Sequence, residues 1–591
     1  MGGGVPGWER RITGKSDVVP GGRWVGVERG AHNALVLAAL VPHAENAGRV
    51  RLLSDAGEPA GPVVGTDDLA SVVAEWEGSR PRWLWPSTAE VYPGLLARGV
   101  RVERCLDLHH VEALLLAYQG RHGEPRGLGA ALARLRGLPV PEDHGPRRRE
   151  TQPTLFEPER EPLPGAADPL EAVVAVHAEQ QRTAAGLGHA DPLRLLFAAE
   201  SASALAAAEM THHGLPWRAD VHEALLVELL GPRPAAGARP SRLAELADRI
   251  TAAFGGRPVN PDHPPSIVRA FGREGVEVPS ARAWVLKGVD HPAVQPLLEY
   301  KELARLWVAH GWSWLDQWVS DGRFRPDYVV GGVVSGRWAT RGGAALQIPR
   351  TLRRAVLADP GWRLVAADAA QLEPRVLAAL SGDRRLAEVS GDDDLYTNVA
   401  ADAFDGDRDR AKVAMLSAMY GGTSGAAGPL LAVLRRRFPD AVGYVEAAAA
   451  AGEQGRVVRS RLGRTSPPPS DAWHEATGSA DEGEDAVRRS RRAAREWGRF
   501  TRNFVVQASA ADWTAALLGA LRRRLHRSAP EAQLVFFQHD EVLVHCPAGL
   551  ADAVCAEVTA AGAEASRLVF GDTPVRFPLK AVPVAGYADA K

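Results

Sequence analysis

Two stretches of the chain carry acids where chemistry could be done. The first is Trp362 to Gly382, WRLVAADAAQLEPRVLAALSG. It opens as a short apolar run, Leu364 to Ala367, which predicts a buried strand, and meets a carboxylate at Asp368. Gln371, Leu372 and Glu373 lead into a helical pattern with Val376, Leu377 and Leu380 on one face. Pro374 is tolerated there because the first turn of a helix needs no internal N–H partner. The second stretch, Gln533 to Pro547 (QLVFFQHDEVLVHCP), shows two apolar runs joined at Gln538-His539-Asp540-Glu541, a β-hairpin pattern with two carboxylates at its tip. Helix capping would account for one such aspartate. A buried hairpin tip carrying Asp-Glu is costly unless the charges meet a cation. Facing each other, Asp368 and Asp540 would make a hard-oxygen site suited to Mg²⁺, which favours one or two carboxylates plus substrate phosphates.

These segments resemble motifs A and C of the family A DNA polymerases, the bacterial DNA polymerase I group, with patterns near DYSQIELR and HDE. Here they stand as Asp368-Ala-Ala-Gln371-Leu-Glu373-Pro-Arg375 and His539-Asp540-Glu541. In DRDRAKVAMLSAMYG, residues 407 to 421, Arg408, Lys412, Leu416 and Tyr420 recur every four residues, so a helix stacks them along one face over ~18 Å. By itself that stretch reads as a solvated amphipathic helix. It is similar to family motif B (R-x3-K-x3-F-x3-Y-G), departing from it at Leu416, where the family has an aromatic ring that packs on the incoming sugar and base. The stretch between Tyr420 and Phe438 is also shorter than the family pattern. VVSGRWATRGGAALQIP, from Val333, resembles TGRLSS…NLQNIP with one residue missing before Ile348. Arg499, Asn503 and Gln507 match the family helix RxxxNxxxQ.

The resemblance implies template-directed DNA synthesis from dNTPs on a primer–template, with two Mg²⁺ ions held by Asp368, Asp540 and the carbonyl of Ala369. It assigns Glu541 as a supporting acid, and Lys412 as a triphosphate cation and proton donor to pyrophosphate. Arg408, Gln371, Leu416, Tyr420 and His539 line the dNTP site, and Glu373 stands as a steric gate against a ribose 2′-hydroxyl. Arg337, Gln347, Arg499, Asn503 and Gln507 contact DNA. The implied fold is α/β and multidomain: a degenerate RNase H-like exonuclease domain over 1–190, then a right-hand polymerase domain over 191–591. The thumb falls at about 205–310, the palm at about 311–400 and 500–591, and the fingers at about 401–499.

The N-terminal part alternates strand-like and helical runs: Trp24 to Glu28, Val50 to Leu53 and Arg82 to Trp85 read as strands, and Leu106 to Tyr118 as a helix. The family's proofreading site needs four acids to hold two metal ions. Here the first strand offers Val25-Gly26-Val27 with Glu28 out of pattern, the second position falls near Glu90 or Val91, and the third segment reads Val176 and Gln180. Loss of proofreading is expected. Residues 138–168 read as a Pro-rich, charged loop, and 465–485 as a mobile one. The arginines at 488, 489, 491, 492 and 495 lie either on a solvated face or on template phosphates.

A net charge of −2 does not advertise a nucleic-acid binder, but a local basic cleft suffices for phosphates. Lysine occurs only at 15, 287, 301, 412, 580 and 591, which makes Lys412 conspicuous mid-chain. Three cysteines show neither a disulfide framework nor metal-ligand spacing. No signal pattern and no apolar run of about 18 residues is evident, so a cytoplasmic monomer is expected, with no membrane association and no 5′-nuclease domain. Two other readings compete with an active DNA polymerase. One is a weak or inactive DNA-binding paralogue, or a polymerase with residual 3′–5′ exonuclease activity. The other is a single-subunit RNA polymerase, against which Glu373 argues.

Overall fold

The computed structural model describes residues 37–43, 46–143, 163–391, 394–422, 427–478 and 483–590. The expected strand Trp24 to Glu28 and most of the expected loop at 138–168 lie outside the described residues. Among these, the N-terminal sheet centres on β1 (Leu37–Pro42), whose Leu37 to Val41 are all buried. β1 pairs antiparallel with β2 (Gly48–Leu53), which pairs antiparallel with β3 (Val64–Thr66). On its other side β1 runs parallel to β4 (Arg82–Trp85), and β4 parallel to β5 (Arg104–Asp107). The order β3-β2-β1-β4-β5 is consistent with the RNase H-like architecture expected here. The expected helix from Leu106 begins instead at Leu108, as α1 (Leu108–Tyr118), because Asp107 holds extended backbone and accepts from the His110 N–H at 3.0 Å, making an N-cap. α2 (Pro169–Ala185) is capped in the same way by Asp168.

α3 (Ala190–His213) is a 24-residue helix that begins at the expected domain boundary and continues unbroken past the expected thumb start at 205. Its Glu209 is buried against the N-terminal domain. There it receives Arg101 at 3.0 Å, Tyr92 Oη at 2.6 Å and Arg522 at 2.6 Å. Burial opposes this charged carboxylate, yet Arg522 and Arg101 outweigh it and hold its pKa at about 2. Helices Ala219–Leu230, Ser241–Ala253, Pro264–Arg273 and α4 (Val294–His310) pack Leu226, Leu243, Ile250, Phe271 and Leu297 into a core of their own.

The central sheet explains why the acid-bearing strands read as unbroken apolar runs. β6 (Trp362–Ala369), β7 (Gln533–Gln538), β8 (Glu541–Pro547) and β9 (Leu579–Val584) form an antiparallel sheet in the order β7-β8-β6-β9. Both faces are covered. Val365, Ala367, Val542 and Val544 join one core, and Leu364, Ala366 and Leu543 join the core beneath the 219–310 helices. After β6 come α5 (Leu372–Ser381), α6 (Leu395–Ala403), α7 (Arg408–Tyr420) and α8 (Pro439–Glu453). The expected mobile loop at 465–485 is largely structured in its described part. Thr465 and Ser466 are buried, the Ser466 N–H donates to Val458 O at 2.9 Å, and Asp471–Gly478 is helical. α9 (Glu484–Ser528), 45 residues and about 68 Å long, crosses the expected fingers–palm boundary without a break. One 18-residue window of α9 is apolar enough to span a bilayer, but 89% of it is buried, as in a core helix. α10 (Ala551–Phe570) packs along α9.

Candidate active site

The register of the central sheet brings the two predicted acids together. Asp368 lies opposite Glu541 across the β6–β8 ladder, so Asp540 sits one residue further along, in the two-residue turn of the β7–β8 hairpin. The Ala369 N–H donates to the Asp540 carbonyl at 3.0 Å, closing the ladder at that point. His539 (φ 58°) and Gln371 (φ 49°) both hold left-handed backbone, a conformation that costs a non-glycine residue energy and recurs where a site over-determines its geometry. The turn after β6 is pinned from behind by buried Arg375. Its guanidinium donates to Ala370 O at 3.0 Å, Ser390 O at 2.7 Å and Arg576 O at 2.9 Å. Gln371 Oε1 accepts from the Leu395 N–H at 3.2 Å, so this residue braces α6.

Glu541 is buried, with its carboxylate 3.4 Å from Arg353, whose guanidinium lies over the Tyr587 ring at 4.1 Å. Burial, with the Glu541 charge beside it, pushes the Tyr587 phenol well up. Glu541 therefore backs the site and is already charge-paired. Among the described residues no group of three or more His, Cys, Asp or Glu is arranged to hold a metal ion. The donor set of Asp368 and Asp540 fits an ion that completes its shell with water and substrate phosphate, as Mg²⁺ does.

A second cluster adjoins the first. Glu373 accepts from Tyr420 Oη at 2.5 Å and from Arg337. Burial and the bond to Glu373 push the Tyr420 phenol up to about 12, and Gln507 also reaches that hydroxyl. His539 belongs to the same group: burial, then the Arg337 charge, hold its imidazole below the usual range. Arg337, Glu373, Tyr420, Gln507 and His539 thus converge from five separate segments. α7 is capped by Asp407, which accepts from the Arg410 N–H at 3.0 Å, and ends at Gly421 (φ 74°), where a methyl group would meet Arg499 Cγ at 2.8 Å. So Arg499 of α9 lies over the end of α7.

The remaining predicted residues are placed less tightly. Lys412 is exposed and Leu416 half-buried on the same face of α7. Arg408, expected to await a triphosphate, is engaged by Asp394 at 2.9 Å and lies 5.7 Å from the Tyr396 ring. Asn503 is half-buried and Gln347 exposed, although the neighbouring Leu346 carbonyl accepts from Gln538 at 2.9 Å and ties that loop to the hairpin.

The family model of DNA polymerase family A matches residues 269–581, just over half of the chain and the part that contains both clusters. The chain belongs to DNA polymerase family A. It is 27% identical to DNA polymerase I of Chloroflexus aurantiacus over 349 residues, which is 52% of this chain and 35% of that protein. It is also 27% identical to the thermostable DNA polymerase I of Thermus aquaticus over 295 residues, 45% of this chain and 33% of that one. This family A chain therefore matches about a third of the length of those relatives. In fold it is similar to the polymerase domain of Pol1 from M. smegmatis, solved with DNA primer–template and dNTP. The TM-score is 0.68 at 20% identity, covering 94% of this chain and 96% of that one.

Sequence reasoning did not reach Arg353, Asp394 or Tyr587. Asp394 carried a readable signal, an aspartate before a helical run, and it does cap α6 by accepting from the Tyr396 N–H at 3.1 Å. Arg353 and Tyr587 meet Glu541 only because two segments more than two hundred residues apart fold against one strand end, and no local pattern announces that.

Proposed function

We propose that this chain catalyses template-directed DNA synthesis: a primer 3′-hydroxyl attacks the α-phosphate of a dNTP, and pyrophosphate leaves. The observation that carries this reading is the register that sets Asp368 and Asp540 side by side at the mouth of the central sheet. Asp368, Asp540 and the Ala369 carbonyl would hold two Mg²⁺ ions, which supply a lowered pKa at the attacking hydroxyl and charge neutralisation on the phosphates. The chain's own groups do the rest. Arg353 keeps Glu541 occupied, so the metal-facing charge is that of the two aspartates. Lys412 meets the triphosphate, and Arg408, one helical turn away, joins it by leaving Asp394. Glu373, fixed by Arg337 and Tyr420, crowds the ribose 2′-position.

In this reading the 219–310 helices are the thumb, the central sheet is the palm, and α6 to the first half of α9 are the fingers. Primer–template DNA and dNTPs are the partners. Val176 and Gln180 are buried on α2, with Gln180 donating to Leu108 O and Glu112 at 3.0 Å. Residues of these types support an N-terminal domain that does not proofread, and hence gap filling or repair synthesis. Primer extension with the full chain tests the reading. Incorporation of dNTPs, lost in Asp540→Ala while DNA binding persists, is the expected result. Binding without incorporation by the unsubstituted chain would make it a non-catalytic duplex-binding protein.

A further inference from the structure

Asp368 has a cross-strand neighbour on each side. Across β6–β8 it faces Glu541, and across β6–β9 it faces Lys580. Directly opposed residues of antiparallel strands project to the same face, with Cβ atoms ~4.5–5.5 Å apart. Glu541, Asp368 and Lys580 therefore form one transverse row at the end of the sheet, two carboxylates and one ammonium. The two outer members differ in what else they can do. Glu541 is buried and paired with Arg353 at 3.4 Å. Lys580 is exposed, second in a strand that begins at Leu579, and its four-carbon stem is long enough to swing toward Asp368 or out to solvent. The row places an exposed cation beside the carboxylate proposed above to hold a divalent ion.

We infer that Lys580 is the resident counter-cation of Asp368: it holds that carboxylate toward the cleft in the metal-free state and gives way when a divalent ion arrives. Lys580 is thus a positioning residue that sets the metal concentration at which the site fills. The inference rests on Asp368 being a metal-holding acid, as proposed above. Exchange of one cation for another keeps a positive charge beside Asp368 between turnovers. It also makes early filling of the site by stray divalent ions less favourable.

The test is Mn²⁺ binding to the full chain, without DNA or nucleotide, followed by the electron paramagnetic resonance of free Mn²⁺. A cation removed from ~5 Å at the protein surface changes divalent affinity by about 3- to 10-fold. Lys580→Gln is expected to bind Mn²⁺ that much more tightly, and Lys580→Glu more tightly still. Lys580→Arg should match the unsubstituted chain, and melting temperatures would show that all three variants fold. The Lys580→Gln gain should shrink as salt rises. Unchanged Mn²⁺ affinity in both the Gln and Glu variants, with Asp368→Asn abolishing the site, would overturn the role of Lys580 alone. If Asp368→Asn left Mn²⁺ binding intact, the metal reading of Asp368 and the inference built on it would both fall.

Discussion

The Ala369 N–H donates to the Asp540 carbonyl at 3.0 Å, so the strand that ends in one acid is hydrogen-bonded to the turn that carries the other. Two aspartates 172 positions apart are thereby fixed by main-chain geometry, and neither depends on a flexible side chain for its place. Replacing either carboxylate by its amide preserves the turn and removes only charge. Asp368→Asn and Asp540→Asn should each lower the primer-extension rate on the order of a thousandfold, since metal charge stabilisation contributes several kcal/mol. Primer–template affinity and melting temperature should be nearly unchanged. Rapid-quench kinetics beside a DNA-binding titration would check this, and a variant retaining a tenth of the rate would exclude a metal role for that residue.

Glu373 is held by Arg337 and by Tyr420 Oη, so its side chain is restrained, and under the proposed function that restraint would keep a larger sugar out. Bulk and restraint separate in substitution. Glu373→Ala removes both and should raise the rNTP-to-dNTP ratio of kcat/KM by about 10- to 200-fold, the range one pocket contact is worth. Glu373→Gln keeps the bulk and should leave the ratio near that of the parent. Tyr420→Phe keeps bulk but removes one of the two restraints, leaving Arg337, and should fall between them. Steady-state incorporation of each nucleotide class opposite one template base gives the three ratios.

These acids were legible in the sequence because each closes an apolar run, and apolar runs are local. Asp368 and the 533–547 hairpin needed only periodicity to be placed. What periodicity could not supply is which side chains answer the charges. Arg353 and Tyr587 reach Glu541 from segments more than two hundred residues apart, and Asp394 claims Arg408 from the start of the preceding helix. The lengths of the two longest helices were not legible for a similar reason. α3 starts at the expected domain border, and both it and α9 continue past the expected thumb and palm starts because their buried faces continue, with Leu205 and Met210 on one and Trp513 and Leu517 on the other. A boundary inferred from motif positions carries no information about packing.

Leu416 stands half-buried between Lys412 and Tyr420 on the exposed ridge of α7, where the family carries a ring. An aliphatic side chain offers an incoming base less flat contact area than an aromatic one. Leu416→Phe should therefore lower the dNTP KM, by about 3- to 10-fold for a contact of ~1 kcal/mol, with kcat and thermal stability little changed. An unchanged or raised KM would mean that the nucleotide does not pass over this position.

The polymerase region and the N-terminal domain meet at Glu209, where one buried carboxylate serves Arg101, Arg522 and Tyr92. Arg522 also donates to the Glu103 carbonyl at 2.7 Å, so one guanidinium of α9 holds the segment that leads into β5. Removing the acid leaves two cations facing each other in a closed space. Glu209→Ala should cost about 3–5 kcal/mol, the usual penalty for breaking a buried pair from one side. The sign of its pH dependence follows from the folded pKa of about 2, below the ordinary value of 4.5. Stability from this charge is complete above about 4.5 and is lost as the pH falls toward 2, because the unfolded chain takes up the proton first. Denaturant unfolding of the parent and of Glu209→Gln should thus differ most at neutral pH and converge on acidification. A gap that stayed constant from pH 7 to pH 3 would show that the carboxylate's charge contributes nothing to holding the two regions together.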